Sequence, residues 1–295
     1  MPPPRRRHIL RGLMKKKYHH FIFAAFLLFS CLANGQQTGD SALHKDKLQF
    51  KLGVFYNSNL NYYGRTDSLK SSAVFPIAEL WFNQHLYLNA APVFINNVIQ
   101  KFEYAGSVAT AGYRFGRDNK EAGNIYFVKP FYKINTDLVQ SALKAQVAGT
   151  YSWLNKIINI TAGADVKFSN KIDYGVTGGL DHIFKAEPGK GFVIVINPSA
   201  YINAGTQQFT KTYYKKSSFL LFPGVEQQVT EEVKGFNILS YEFSSLIIIA
   251  KGKFQFIINP SFVVPQNLIK VENRPDLSER GKNIFYATLG AKVIF

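Results

Sequence analysis

From residue 36 onward the chain alternates, with apolar side chains at every second position in one stretch after another, the period of a strand whose two faces differ. Leu143, Ala145, Val147, Gly149, Tyr151 and Trp153 fall on one face of such a stretch, and Lys144, Gln146, Ala148, Thr150 and Ser152 on the other. After Asn155-Lys156 the pattern restarts: Ile158, Ile160, Ala162, Ala164, Val166 and Phe168 oppose Asn159, Thr161, Gly163, Asp165 and Lys167. The two stretches read as a hairpin with a tight turn. No helix-period segment of convincing length and no repeat of fixed period stands beside them.

Followed along the chain, the alternation predicts twelve strands, near 47–57, 71–82, 86–96, 101–115, 125–135, 141–153, 157–169, 172–185, 191–203, 235–249, 253–264 and 283–295. The connections after the second, sixth and tenth are short (Asn83-Gln84, Asn155-Lys156 and Ala250-Lys251-Gly252), and those after the fourth and eighth are modest. Longer connections follow odd-numbered strands, notably 58–70, 204–234 and 265–282, with the loop around Asn170-Lys171 a short exception. An even count, strands of about ten residues and alternating long and short loops predict an all-β fold, a membrane-spanning antiparallel up-and-down β-barrel. Lipid offers no partner for an open sheet edge, so such a sheet must close on itself. A soluble sandwich or lipocalin-like barrel also alternates. It would hide its apolar side chains inside, however, and twelve strands are expected to enclose more space than those side chains fill.

The first residues read differently. Lys15-Lys16-Lys17 precedes the apolar run Phe21 to Leu32 and then Ala33-Asn34-Gly35-Gln36. A basic head, a short apolar stretch and small residues before a cut describe a secretory signal peptide, residues 1–35, cleaved after Gly35. Met14 directly precedes the lysines, so residues 1–13 read as a start-site extension, and residues 36–295 form the barrel domain. Leu28-Phe29-Ser30-Cys31 loosely matches a lipoprotein box, the alternative in which Cys31 carries the anchor, and an uncleaved anchor is a further one.

Composition agrees with this reading. With 46% hydrophobic and 18% charged residues the chain is no disordered polymer. A mean hydropathy of −0.07 excludes a bundle of membrane helices. One Cys excludes a disulfide framework. Losing seven basic residues with the leader reduces Lys plus Arg from 35 to 28, against 19 acidic residues, a formal +9 spread along the chain. Nothing in that spread forms the basic patch that nucleic acid requires.

The chain ends with Phe285, Ala287, Leu289, Ala291, Val293 and Phe295 on one face. This resembles the closing strand of Gram-negative outer-membrane β-barrel proteins. The resemblance implies an integral place in a bacterial outer membrane among its lipids, and Phe295 as a signal read by the barrel-assembly machinery. Trp81 and Trp153, both beside short turns, are expected in the interfacial aromatic girdle.

Candidate chemistry is sparse. Of His44, His85 and His182, none stands in a spacing with Ser and Asp that makes a triad, and the faces expected for His182 and Ser199 differ. No phosphate loop, dinucleotide fingerprint or metal-spaced His cluster is present, so no enzyme, cofactor or metal site is expected. The charges assigned to the lumen are Lys51, Arg114, Lys129, Lys133, Lys144, Lys167 and Lys292 against Glu79, Asp165, Asp173, Asp181 and Glu242. They describe either a water-filled passage for a small polar solute or a narrow lumen shut by paired charges. Within the loop 204–234, Phe219, Leu220, Leu221 and Phe222 form a candidate lid. The expected function is a passive or weakly selective pore; the alternative is a closed-lumen surface barrel with a binding or structural role.

Overall fold

A computed structural model describes residues 48–67, 69–117, 120–132, 143–208, 235–270 and 278–295. The leader, Cys31, Lys133 and the candidate lid Phe219–Phe222 lie outside the described residues.

The strands are β1 (Gln49–Asn57), β2 (Asn61–Tyr62), β3 (Arg65–Thr66), β4 (Ser72–Trp81), β5 (Leu86–Asn96), β6 (Glu103–Arg117), β7 (Glu121–Tyr132), β8 (Ala145–Trp153), β9 (Asn159–Phe168), β10 (Ile172–Asp181), β11 (Phe184–Gly189), β12 (Phe192–Gly205), β13 (Asn237–Lys251), β14 (Phe254–Pro265) and β15 (Ile284–Ile294). Each long strand pairs antiparallel with its neighbours in the chain, β1 joins β15, and β10 joins β12. The result is a closed antiparallel barrel of twelve staves, with β10 and β11 lying along the same side of β12 as one stave broken at His182-Ile183. The segment β11 pairs with β12 alone, leaving its other edge without a strand. The small hairpin β2–β3 sits in the loop between β1 and β4.

All twelve expected strands are present, the eighth as the broken stave of β10 and β11 that runs on to Gly189, and a second boundary shift stands between the fourth and fifth. Where a longer gap was expected between the fourth and fifth, β6 runs to Arg117 and β7 begins at Glu121. The Arg117 and Glu121 side chains pair across that turn at 2.6 Å. The turns after β4, β6, β8, β11 and β13 gather at one end of the barrel, with the start of β1 and the end of β15, and the longer connections gather at the other, together with the short β9–β10 turn. The turn between β11 and β12 places Lys190 (φ 53°) and Gly191 (φ 73°) both in the left-handed region, as the tightest hairpins need.

Alternation sorts the side chains as expected on the outside. Phe50, Leu52, Val54 and Tyr56 of β1 face outward, as do Ile125 and Phe127 of β7 and Tyr174, Val176 and Leu180 of β10. This apolar outer wall suits acyl chains, where a Lys or Arg at mid-depth would cost about 2–4 kcal/mol.

The inside departs from expectation. Phe55, Phe75, Ile77, Val93, Val108, Val128, Val195, Ile248 and Ile257 also face inward and form one buried apolar cluster. Apolar side chains therefore do fill part of a twelve-strand lumen. Two devices make this possible. Aromatic rings lie over glycines on the adjoining strand: Phe55 opposite Gly290, Tyr87 opposite Gly112 and Tyr201 opposite Gly179. The loop after β1 also adds Leu60 to the cluster from above.

The glycine contacts generate a prediction. A Cβ at Gly290 would fall 2.3 Å from the Phe55 ring, whereas one at Gly178 would meet nothing within 4 Å. Gly290→Val is expected to destabilise the detergent-folded barrel by about 1–3 kcal/mol, and Gly178→Ala to change it little, in urea unfolding midpoints.

Candidate functional site

The lumen has three levels, set by which residues the staves place inward. At the long-loop end lies a polar cap. The loop 58–71 folds over the mouth, and its Arg65 is fully buried. Arg65 Nε donates to Glu279 Oε2 at 3.0 Å, Nη1 donates to the carbonyls of Tyr63 (3.2 Å) and Leu239 (3.1 Å), and Nη2 donates to Gln266 O at 3.0 Å. One guanidinium thus ties this loop to β13 and to the loop after β14. The Thr66 N–H adds a bond to Arg280 O at 2.9 Å.

The loop also reaches the far wall. Lys167 of β9 lies 5.9 Å from the Tyr63 ring, although β9 stands halfway round the barrel from β1 and β4. The Tyr62 phenol is held well above its ordinary pKa, by burial first and then by the carboxylates of Asp165 and Asp173. Lys167 itself pairs with Asp165, and Asp173 accepts from the Thr206 hydroxyl and from the Gln208 N–H at 2.7 Å. Within the loop, Asp67 Oδ1 accepts the Leu69 N–H at 2.7 Å, and burial raises the Asp67 carboxyl above its usual range.

Below the cap lies the apolar layer. Val93 is 0% exposed and Phe55, Phe75 and Val108 are 1% exposed, so water does not reach these inward side chains. Polar walls flank the layer: Thr177 donates to Asn203 (2.9 Å), Asn203 to Ser240 (3.1 Å), Ser199 shares a bond with Ser244 (2.8 Å), and Tyr286 donates to Glu242 (2.9 Å).

The third level is a vestibule at the short-turn end. Lys292 Nζ lies 2.6 Å from Glu79 Oε1, and Trp81 Nε1 donates to Glu79 Oε2 at 3.1 Å. Lys51 and Arg114 lie 4.4 and 4.6 Å from the Trp81 ring centroid. Tyr87 stacks on Trp81 at 4.7 Å, and its hydroxyl is bonded to Asn124. Across from them Asp181 accepts from Asn159 (2.9 Å) and Asn197 (2.8 Å).

Of the charges expected in the lumen, Lys51, Glu79, Arg114, Asp165, Lys167, Asp173, Asp181, Glu242 and Lys292 face inward. Lys129 does not. It stands between outward-facing Phe127 and Phe131, and its ammonium rises to Lys144 O at 3.0 Å and over the Phe131 ring, the behaviour of a long cationic side chain escaping hydrocarbon. Lys144 is exposed at the long-loop rim, where it bonds Asn170 at 2.9 Å. Trp153 faces outward as expected, but Trp81 is 6% exposed and faces inward. Its parity with Glu79, two residues earlier, carries that signal in the sequence. Phe295 faces outward and its N–H bonds Phe50 O at 2.8 Å. Ser199 and His182 face different sides, and His182 Nδ1 is buried with no hydrogen-bond partner.

The candidate lid Phe219–Phe222 lies outside the described residues; among the described residues the loop 58–71 covers the mouth, shaped by the pairing of Asn61 with Thr66 and fastened by Arg65.

No protein family and no curated protein matches the chain. Among solved structures it is similar to an outer membrane channel from Pseudomonas putida F1 (11% identity, 88% of this chain and 99% of that one, TM-score 0.46). It is also similar to the KdgM porin (7%, 83% and 99%, TM-score 0.45) and to LpxR from Salmonella typhimurium (10%, 83% and 100%, TM-score 0.43).

The cap generates its own prediction. Arg65→Met leaves Glu279 buried without its counter-charge, a loss of about 3–5 kcal/mol for a pair of this kind. Amide hydrogen exchange across residues 60–66 is expected to accelerate accordingly. Adding Glu279→Gln restores part of the protection, so the double variant loses less than the two single losses together.

Proposed function

We propose that this protein is an integral bacterial outer-membrane barrel with a closed lumen, acting at the membrane as a binding or structural protein and not as a standing pore. The short-turn end, with the start of β1 and the end of β15, faces the periplasm, and the long loops face outward from the cell. The outward apolar face of β15, ending in Phe295, fits recognition by the barrel-assembly machinery. Among the described residues Ser199 is engaged by Ser244, and His182 stands apart from it, so this pair offers no nucleophile and base.

The observation that carries this reading is the layer of inward side chains with no water access, led by Val93, Phe55 and Phe75. A polar solute moving along the lumen would leave water against these side chains, which offer it no hydrogen bond, and desolvation of polar groups is costly. A second reading, gated passage of small polar solutes, is favoured by the hydroxyl- and amide-lined walls on either side of the layer. It requires the layer itself to part.

Planar-bilayer recording separates the two. The purified protein is expected to leave the bilayer silent, and Arg65→Met is expected to leave it silent as well, because the apolar layer persists beneath the cap. Phe55→Ala combined with Phe75→Ala removes two stacked rings and, added to Arg65→Met so that both seals are loosened, is expected to produce discrete conductance steps. Steps from the unaltered protein would overturn the closed reading.

A further inference from the structure

The vestibule at the short-turn end holds an imbalance of charge. Lys51, Arg114 and Lys292 converge there around one carboxylate, Glu79. Each oxygen of Glu79 already holds a partner, one Lys292 and the other the Trp81 indole. Lys51 reaches Trp81 from the strand on one side of β4, and Arg114 reaches it from β6, beyond β5 on the other side. Neither cation meets a second carboxylate among the described residues. Asp181, on the far wall, is held by Asn159 and Asn197. Arg114 Nε is buried with no hydrogen-bond partner.

Two like charges gathered at one indole repel each other, and a buried guanidinium N–H without an acceptor forgoes a charge-assisted bond. An anion with two or more oxygens that meets both cations in the vestibule offsets the repulsion between them. Access fits this. Lys51 and Arg114 are half-buried, whereas Glu79, Trp81 and Lys292 are buried behind them. The Trp81–Tyr87 stack and the Tyr87–Asn124 bond hold the walls in place before any ligand arrives.

We infer that the vestibule is a binding site for a small oxyanion, a phosphate or carboxylate group on a solute entering from the short-turn end, held by Lys51 and Arg114. Arg114 supplies directional N–H donors, and Lys51 supplies a compact charge. The apolar layer behind Phe55 makes the site a dead end, so occupancy and passage are separate properties. Binding here stands whether or not the layer ever parts.

Trp81 reports on the site directly. The chain has two tryptophans, and Trp153 faces outward, so Trp153→Phe leaves Trp81 as the single indole. That protein, folded in detergent, is titrated with inorganic phosphate and separately with acetate, chloride holding the ionic strength constant. A saturable change in Trp81 emission is expected. A response to phosphate alone assigns a phosphate site, to acetate alone a carboxylate site, and to both a general oxyanion site. Lys51→Gln and Arg114→Gln are each expected to weaken apparent affinity by about tenfold, and Lys51→Arg to preserve it. A flat titration with both anions overturns the inference, as does an affinity unchanged by Lys51→Gln. If Arg114→Gln fails to fold, the parent titration and the comparison of Lys51→Gln with Lys51→Arg decide the matter.

Discussion

The structure depends on the need for backbone amides in hydrocarbon to find partners within the protein. This chain meets that need by pairing its last strand with its first: Lys51 to Asn57 of β1 match Ile294 to Thr288 of β15, while the other edge of β1 holds β4. The Phe295 N–H extends the seam by one more bond, to Phe50. Closure then imposes the alternation. Every stave presents one row of side chains to lipid and the other to the lumen, and the outer row is apolar nearly everywhere.

Closure constrains the inner row less, and here the chain divides its lumen by depth. Charged and hydroxyl side chains occupy both ends, while a central level is packed with Phe, Ile and Val. Glycines on the adjoining strands allow the large rings to lie against the wall. Two different seals follow, one of packed hydrocarbon and one of a folded loop fastened by Arg65. They draw on different physics: the layer on exclusion of water, the cap on a buried ion pair whose remaining donors are spent on backbone carbonyls.

Much of this was legible in the sequence, and the misses have identifiable causes. The hairpin of β8 and β9 could be read because its two faces differ cleanly, Val147 and Tyr151 against Gln146 and Ser152. The apolar layer could not, because stretches such as Ala73 to Ala78 and Ala90 to Ile95 are apolar on both faces, and periodicity then says nothing about which side chains turn inward. Lys129 departs from the lumen because charge alone does not fix a face: a long aliphatic stem lets a lysine on the lipid side carry its ammonium to the rim. Trp81 departs from the girdle because its parity with Glu79, and not its nearness to a turn, decides its face. The loop 58–71 hides its role because the partners of Arg65 are mostly carbonyl oxygens far along the chain, at Leu239 and Gln266, which no local pattern reveals.

The one-sided pairing of β11 works as a depth gauge. All six of its residues are exposed, Lys185 and Glu187 form an ion pair at 2.8 Å, and Pro188 interrupts the bare margin. Peptide groups left uncovered on that side cannot rest against acyl chains, so they must stand among headgroups or in water. The hydrocarbon boundary on this wall therefore lies no lower than the break at His182-Ile183. A waterline can be drawn there, just beneath the last fully laddered residue, Asp181.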